Sequence, residues 1–260
     1  MDRTPLPRIM VAPNGARRGR ADHPALPLTD DELVETAIAC REAGADGLHA
    51  HIRDADGVHL LDAGRYRALL ERLADAVPGM YIQVTSEAAG RYGPVEQQAI
   101  MRRLCPAHVS VAFREMVRDE CDWPEAAAFY AWAADADVDV QHIVYSTDEL
   151  IRFIHACDAG RIPGRVHPVQ IVLGSYDGSQ VSRPEAVCRF VELMEGADMR
   201  FDWMFCAFGR EETACLVEAA RLGGKVRVGF ENSLWNGDGS LARDNAERVR
   251  EVRTGIAALG

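Results

Sequence analysis

Two histidines one residue apart, His49 and His51, carry the clearest chemical suggestion in the sequence. They lie in Leu48-His49-Ala50-His51-Ile52-Arg53-Asp54, which follows Gly44-Ala45-Asp46-Gly47 and reads as a buried strand with a polar end. Alternate residues of a strand project from one face, so the two imidazoles stand side by side and can share one metal ion. Two such rings can equally well hydrogen-bond within a core, and the tripeptide alone leaves both readings open. The metal reading needs a third ligand and a pocket from the rest of the chain.

The elements that would position these groups follow a regular rhythm. Arg8 to Ala12, closed by Pro13-Asn14-Gly15, is a short first strand with a turn after it. The basic segment Ala16 to Pro24 that follows is either an anion-facing or a solvated loop. Thr29-Asp30-Asp31-Glu32 has the form of a capping box, opening a helix to Ala43 with Leu33, Ala37 and Ile38 on one face and Gly44 at its end. The His-bearing strand comes next, then a polar turn, Asp54 to Gly57. Further helices are expected over 63–76, 95–104, 124–134, 147–159, 183–194, 211–222 and 241–258, and strands over 80–84, 108–112, 138–145, 169–173, 201–207 and 226–230.

Eight strands alternating with eight helices in 260 residues fit an α/β fold, a single (β/α)8 TIM barrel in one domain over residues 1–260. No Ser/Gly/Pro-rich linker divides the chain. An open doubly wound sheet fits less well, because the first strand is not followed by G-x-G-x-x-G and no P-loop is present. With 48% hydrophobic residues the chain can bury a large core. A net charge of −11, without a basic stripe carrying interleaved aromatics, argues against a nucleic-acid partner. Seven cysteines make an odd count without a C-x-x-C pair, and most of them fall in expected helices or strands as small core residues would, which fits a reducing cytosol. The start, Met1-Asp2-Arg3-Thr4, has no apolar signal region and no long apolar run follows, so a cytoplasmic protein without membrane association is expected.

In such a barrel the loops after the strands converge on one mouth, so the polar residues at strand ends form the candidate site. The first strand gives Asn14 and Arg17; the second His49, His51 and Arg53; the third Thr85, Ser86 and Glu87; the fourth Arg114 and Glu115. Tyr145 and Ser146, Ser175 and Tyr176, Arg210, and finally Arg227, Glu231 and Asn232 complete the ring. Because the eighth strand closes beside the first, Glu231 approaches His49 and His51. Two imidazoles and one carboxylate make a catalytic zinc ligand set with open positions, and suit zinc better than magnesium.

These residues also resemble a known family, the β-keto acid cleavage enzymes. The resemblance rests on His49-Ala50-His51-Ile52-Arg53, and on Val226-Arg227-Val228-Gly229-Phe230-Glu231-Asn232 after Gly223-Gly224. It extends to Asn14-Gly15-Ala16, the stretch His23 to Thr29, Val172-Leu173-Gly174, Phe208-Gly209-Arg210, and Leu241 to Ala246, in order along nearly the whole chain. It implies one zinc ion per chain held by His49, His51 and Glu231. It implies a β-keto acid reacting with acetyl-CoA as co-substrate to give acetoacetate and a new acyl-CoA, a small-molecule acyl transfer. It also implies a homo-oligomer, a tetramer, with Arg227 as the catalytic arginine; a structural salt bridge is the other reading of Arg227.

The chain departs from the family pattern at four places. Asn232 stands where an aspartate usually follows the metal glutamate, and an amide cannot take a proton as a carboxylate does. Thr85-Ser86-Glu87-Ala88 replaces Ser-Thr-Gly-Gly, Glu115 stands at a catalytic threonine, and Arg17 stands where some members carry a glutamate. Thr85, Glu115, Asn232 and Arg227 are therefore the candidate catalytic residues, and Asn14, Arg17, Ser86 and Arg210 the candidate substrate-binding ones. Arg17 and Glu115 are expected to form an ion pair or to divide the work, Arg17 reading an anionic substrate end and Glu115 supplying the missing carboxylate. A zinc-assisted aldolase or hydrolase without CoA, and a non-catalytic metabolite-binding protein, are the competing functions.

Overall fold

The computed structural model describes residues 4–260; Met1 to Arg3, on which part of the reading of the N-terminus rests, lie outside the described residues. The chain runs β1 (Ile9–Val11), α1 (Asp30–Ala43), β2 (Gly47–Ala50), β3 (Ile52–Arg53), β4 (His59–Leu60), α2 (Ala63–Ala76), β5 (Tyr81–Thr85), α3 (Pro94–Leu104) and β6 (His108–Ala112). It continues through α4 (Phe113–Met116), a short 3-10 turn, α5 (Trp123–Asp135), β7 (Asp139–Val144), α6 (Thr147–Asp158), β8 (Val166–Leu173), α7 (Ala186–Glu195), β9 (Arg200–Ala207), α8 (Glu212–Arg221), β10 (Lys225–Val228) and α9 (Asn245–Ala257). Eight of the strands close into a barrel in the order β1-β10-β9-β8-β7-β6-β5-β2, and all its pairings are parallel. The expected (β/α)8 barrel is therefore the fold.

The helices form where local chemistry specifies them. Thr29 caps α1 in a capping box with Glu32, and Gly44 ends it in the left-handed region. Asp62, Ser146 and Asp244 cap α2, α6 and α9 with their side-chain oxygens. One apolar cluster fills the space between barrel and helices, with Leu33, Leu69, Phe129, Phe153, Leu216 and Val249 packed against the outward residues of the strands.

Four expectations are corrected. Ile38 is 38% exposed, and the buried face of α1 is Leu33, Ala37, Cys40 and Ala43, as a 3.6-residue period through Leu33 requires. Only Cys40, Cys206 and Cys215 are core residues, whereas Cys105 and Cys121 are exposed. The helices expected from 183 and 241 begin at Ala186 and Asn245, because Pro184-Glu185 form a turn and Leu241 pairs with Trp235 in an isolated antiparallel bridge, with Asp244 as the N-cap. The last strand stops at Val228, so Glu231 is presented by a turn rather than by a strand.

An extra element also departs from pure alternation. After His51 the chain makes a small antiparallel hairpin, β3 with β4, whose polar turn is the expected Asp54 to Gly57 segment. The hairpin brings the buried His59 beside His51, with ring centroids 5.2 Å apart.

Candidate active site

The barrel order places β1 between β2 and β10, and this adjacency assembles the His-rich end of the mouth. His49 is on β2, and His51 follows it by two residues and shares its face. Glu231 arrives from the turn after β10. Gly229, at φ +138°, starts that turn, and a Cβ there would stand 2.5 Å from the Ala12 carbonyl oxygen, so only glycine fits. The turn is held by Glu231 N donating to Ala12 O at 3.0 Å and by Phe230 N donating to Asn245 Oδ1 at 2.9 Å. Arg18 donates to the carbonyls of Phe230, Glu231 and Asn232, which ties the first loop to the last.

His49 Nε2 and His51 Nε2 lie 3.0 Å apart, and Glu231 Oε2 is 3.7 Å from the first and 3.4 Å from the second. Zinc bound at about 2.0–2.2 Å in tetrahedral geometry separates its ligand atoms by about 3.3–3.5 Å. The three donor atoms therefore stand close to where one divalent ion would hold them. Glu231 Oε2 is buried without a hydrogen-bond partner, the state expected of an oxygen reserved for a cation.

The tautomer of His49 agrees. Gln83 Nε2 donates to Gln141 Oε1 at 2.9 Å, which turns Gln83 Oε1 toward His49 Nδ1 at 2.8 Å. Nδ1 must then carry the proton, and Nε2 offers its lone pair to the centre. Burial pushes the His49 imidazolium down to about 3, so the ring is neutral under ordinary conditions. Burial alone would raise Glu231, but Arg227 and the two imidazoles hold its carboxyl well below the usual range.

Arg227 Nη2 donates to Glu231 Oε1 at 3.0 Å, and the side chain also lines the cavity, so the salt bridge and the place on the cavity wall coincide. Burial alone would lower its pKa, yet the Glu231 carboxylate carries it above the ordinary value. The cavity, of about 350 Å³, extends from His49, Arg227 and Glu231 across the barrel to Arg114 and Tyr145. Thr85, Glu87, Glu115 and Arg17 share its wall, and Tyr176 covers it from the loop after β8.

The sequence-derived candidates divide accordingly. His49, His51 and Glu231 come together, and Arg17, Thr85, Glu115 and Arg227 line the cavity beside them. Asn14, Ser86, Arg210 and Asn232 are not among the lining residues. Asn14 Nδ2 donates to the His51 carbonyl at 3.0 Å, and Ser86 Oγ to the Ser110 carbonyl at 2.9 Å. Arg210 stacks over the Trp235 ring, 3.7 Å from its centroid, and donates to Gly239 O. Asn232 is buried with Oδ1 3.4 Å from Arg227 Nη2. Arg53, expected at the mouth, is instead a loop clamp, donating to the carbonyls of Asn14, Gly15, Arg18 and Gly57.

The expected ion pair between Arg17 and Glu115 does not form. Arg17 Nη2 is 3.9 Å from Glu87 Oε1 and its guanidinium lies over the Tyr176 ring. Glu115 Oε2 instead accepts from Ala88 N at 3.0 Å and Gln97 Nε2 at 2.8 Å. Burial raises the carboxyls of both Glu87 and Glu115. Gln83 and His59 were not legible as site residues, although Gln83 shares the inward face of β5 with Thr85, a period-2 relation that points to the mouth.

The comparisons agree with this geometry. A 3-oxoadipate:acetyl-CoA acetyltransferase of Cupriavidus necator is 28% identical over 94% of this chain and 86% of its own. A 3,5-dioxohexanoate:acetyl-CoA acetone transferase of Paraburkholderia graminis is 26% identical over 96% and 90%, and a 3-keto-5-aminohexanoate cleavage enzyme of Fusobacterium nucleatum is 25% identical over 94% and 89%. Among solved structures, ObcA in binary complex with oxaloacetate superposes with a TM-score of 0.68 at 15% identity, over 90% of this chain and 64% of that one, a likeness of fold. The sequence model of the beta-keto acid cleavage enzyme matches residues 8–260, a span that begins just before the first barrel strand and takes in all three residues of the His49, His51 and Glu231 cluster. With that match over nearly its whole length, the chain belongs to the beta-keto acid cleavage enzyme family.

Proposed function

We propose that this protein cleaves a β-keto acid with acetyl-CoA, giving acetoacetate and a new acyl-CoA, with one zinc ion at His49, His51 and Glu231. The observation that carries the reading is the convergence of three donor atoms within 4.8 Å of one another, beside Arg227, at one end of the cavity. In the balanced reaction the substrate's acyl group leaves the carbon next to the carboxylate and ends on the CoA sulfur. The acetyl group takes its place on that carbon. The metal, when bound, supplies Lewis-acid polarisation of the keto-acid oxygens.

The remaining work falls to this chain's own side chains. Arg227 holds the negative charge that develops beside Glu231, both side chains being buried. Glu115 accepts the proton from the carbon that will attack the acetyl group, the task that Asn232 cannot perform. Thr85 and Arg17 orient the substrate from the cavity wall, and Asn14 and Ser86 hold the backbone of His51 and Ser110 behind it. The seven free thiols support a cytoplasmic location, and the family resemblance supports a homotetramer.

The test is incubation of the zinc-loaded protein with acetyl-CoA and a panel of cationic, neutral and anionic β-keto acids, following acetoacetate and new acyl-CoA. No turnover across the panel would refute the reading. One observation favours a second: Asn232 in place of an aspartate suits a zinc-assisted aldolase or hydrolase that needs no CoA. Keto-acid consumption that is independent of CoA would select it.

A further inference from the structure

In the barrel order, β6 is the fourth neighbour of β10 in either direction, so the two strands stand opposite each other across the mouth. Arg227 and Glu231 mark the β10 side. On the β6 side, immediately after the strand, Arg114 lines the same cavity. Its guanidinium lies 3.4 Å from the centroid of the Tyr145 ring, a stacking contact that fixes the plane of the fork and leaves its N–H edges free.

The acids on this side are already engaged. Glu115 Oε2 is held by Ala88 N and Gln97 Nε2, Glu149 Oε2 accepts from Tyr145 N at 2.6 Å, and Glu87 faces Arg17 and His51. Arg114 forms no ion pair among the described residues. Along one side of the cavity, from β6 through β9, the two cationic ends are joined by an apolar strip made by Ala112, Ile143, Val172 and Phe208, while Ser110, Thr85 and Glu87 make the β5 side polar. An apolar strip with a guanidinium at each end matches a short methylene chain with an anion at each end.

We propose that Arg114 reads a second, distal carboxylate, so that the substrate is a dicarboxylic β-keto acid lying across the mouth with its reacting end beside Arg227. This rests on the proposed cleavage reaction for its substrate class, and it adds a specificity-determining residue to that reaction. The same guanidinium chemistry would also suit a phosphate of the co-substrate, so the test separates the two anions.

The experiment compares wild type with Arg114→Met and Arg114→Lys, using a 3-oxo dicarboxylate, the 3-oxo monocarboxylate of equal chain length, and acetyl-CoA. In Arg114→Met, KM for the dicarboxylate rises about ten- to a hundredfold, the loss of one charge-assisted contact, while the other two KM values stay within about twofold; any change in kcat transmitted through the neighbouring Glu115 carboxylate falls equally on the dicarboxylate and the monocarboxylate. Arg114→Lys, which keeps the charge but not the fork, recovers part of the loss. A rise confined to acetyl-CoA would assign Arg114 to a phosphate and overturn the proposal, as would an equal rise for all three substrates or no change. Calorimetric binding of adipate and hexanoate reads the same contact without turnover. If wild type turns over no β-keto acid the cleavage reading fails, yet a preference for adipate that disappears in Arg114→Met still supports the distal carboxylate site, and the absence of any such preference in wild type overturns it.

Discussion

Gln83 Oε1 stands 2.8 Å from His49 Nδ1, and it is held there by the bond from Gln83 Nε2 to Gln141. The barrel interior thus decides which nitrogen of His49 faces His51 and Glu231, the proposed metal position. Replacing Gln83 by Leu frees the ring to adopt the other tautomer and leaves Nδ1 buried without an acceptor. Zinc affinity, measured by competition with a chromogenic chelator, is expected to fall about 10- to 100-fold. Unchanged affinity would show that the tautomer is fixed by other means.

Gly15 lies at φ +60°, and a Cβ there would stand 2.5 Å from Glu231 Cγ and 2.9 Å from the Tyr176 hydroxyl. Gly15→Ala therefore combines backbone strain of about 1–2 kcal/mol with displacement of a ligand side chain. The expected result is a folded protein of lower melting temperature that retains less than stoichiometric zinc. Full metal content with an unchanged melting temperature would contradict the placement of Glu231.

Burial raises the Glu115 carboxyl above its ordinary value. A general base works only when ionised, so kcat/KM is expected to fall as pH drops through this elevated value, at a pH above that of an ordinary glutamate. Glu115→Gln removes that limb of the profile and lowers kcat by on the order of 10²–10⁴. A variant that keeps both turnover and the acid limb would leave the proton to another group.

The thiols give a check on the fold that does not depend on chemistry at the mouth. Burial pushes Cys40 and Cys215 up to about 12 and Cys206 to about 11, so all three are protonated and shielded at pH 8. The exposed Cys105 and Cys121 should react with an aromatic disulfide reagent first, Cys121 more slowly because Asp119 raises its thiol. All seven react after denaturation. Rapid labelling of Cys40 in the native protein would contradict its place on the buried face of α1.

The barrel was legible because turn residues punctuate apolar runs at regular spacing, from Pro13-Asn14-Gly15 to Gly223-Gly224. The convergence of His49, His51 and Glu231 was legible because period 2 fixes the faces of the two histidines, and barrel closure brings Glu231 beside them. What escaped depends on contacts distant in sequence. Gln83 is a single buried amide with no local signature, and its role exists only through Gln141 on another strand. Arg17 meets Glu87 rather than Glu115 because Ala88 N and Gln97 have already taken the Glu115 carboxylate. Arg210 is drawn to the face of Trp235, a contact that no spacing announces.

The contacts of Arg18 with the carbonyls of Phe230, Glu231 and Asn232 fasten the beginning of the chain to its end at the seam where the cylinder shuts. The proposed metal-binding triad straddles that seam, His49 and His51 before it and Glu231 after. No partly built barrel possesses the third donor, so a zinc ion captured by all three would report the completion of folding, and a nascent chain would not be held by it in an unfinished arrangement.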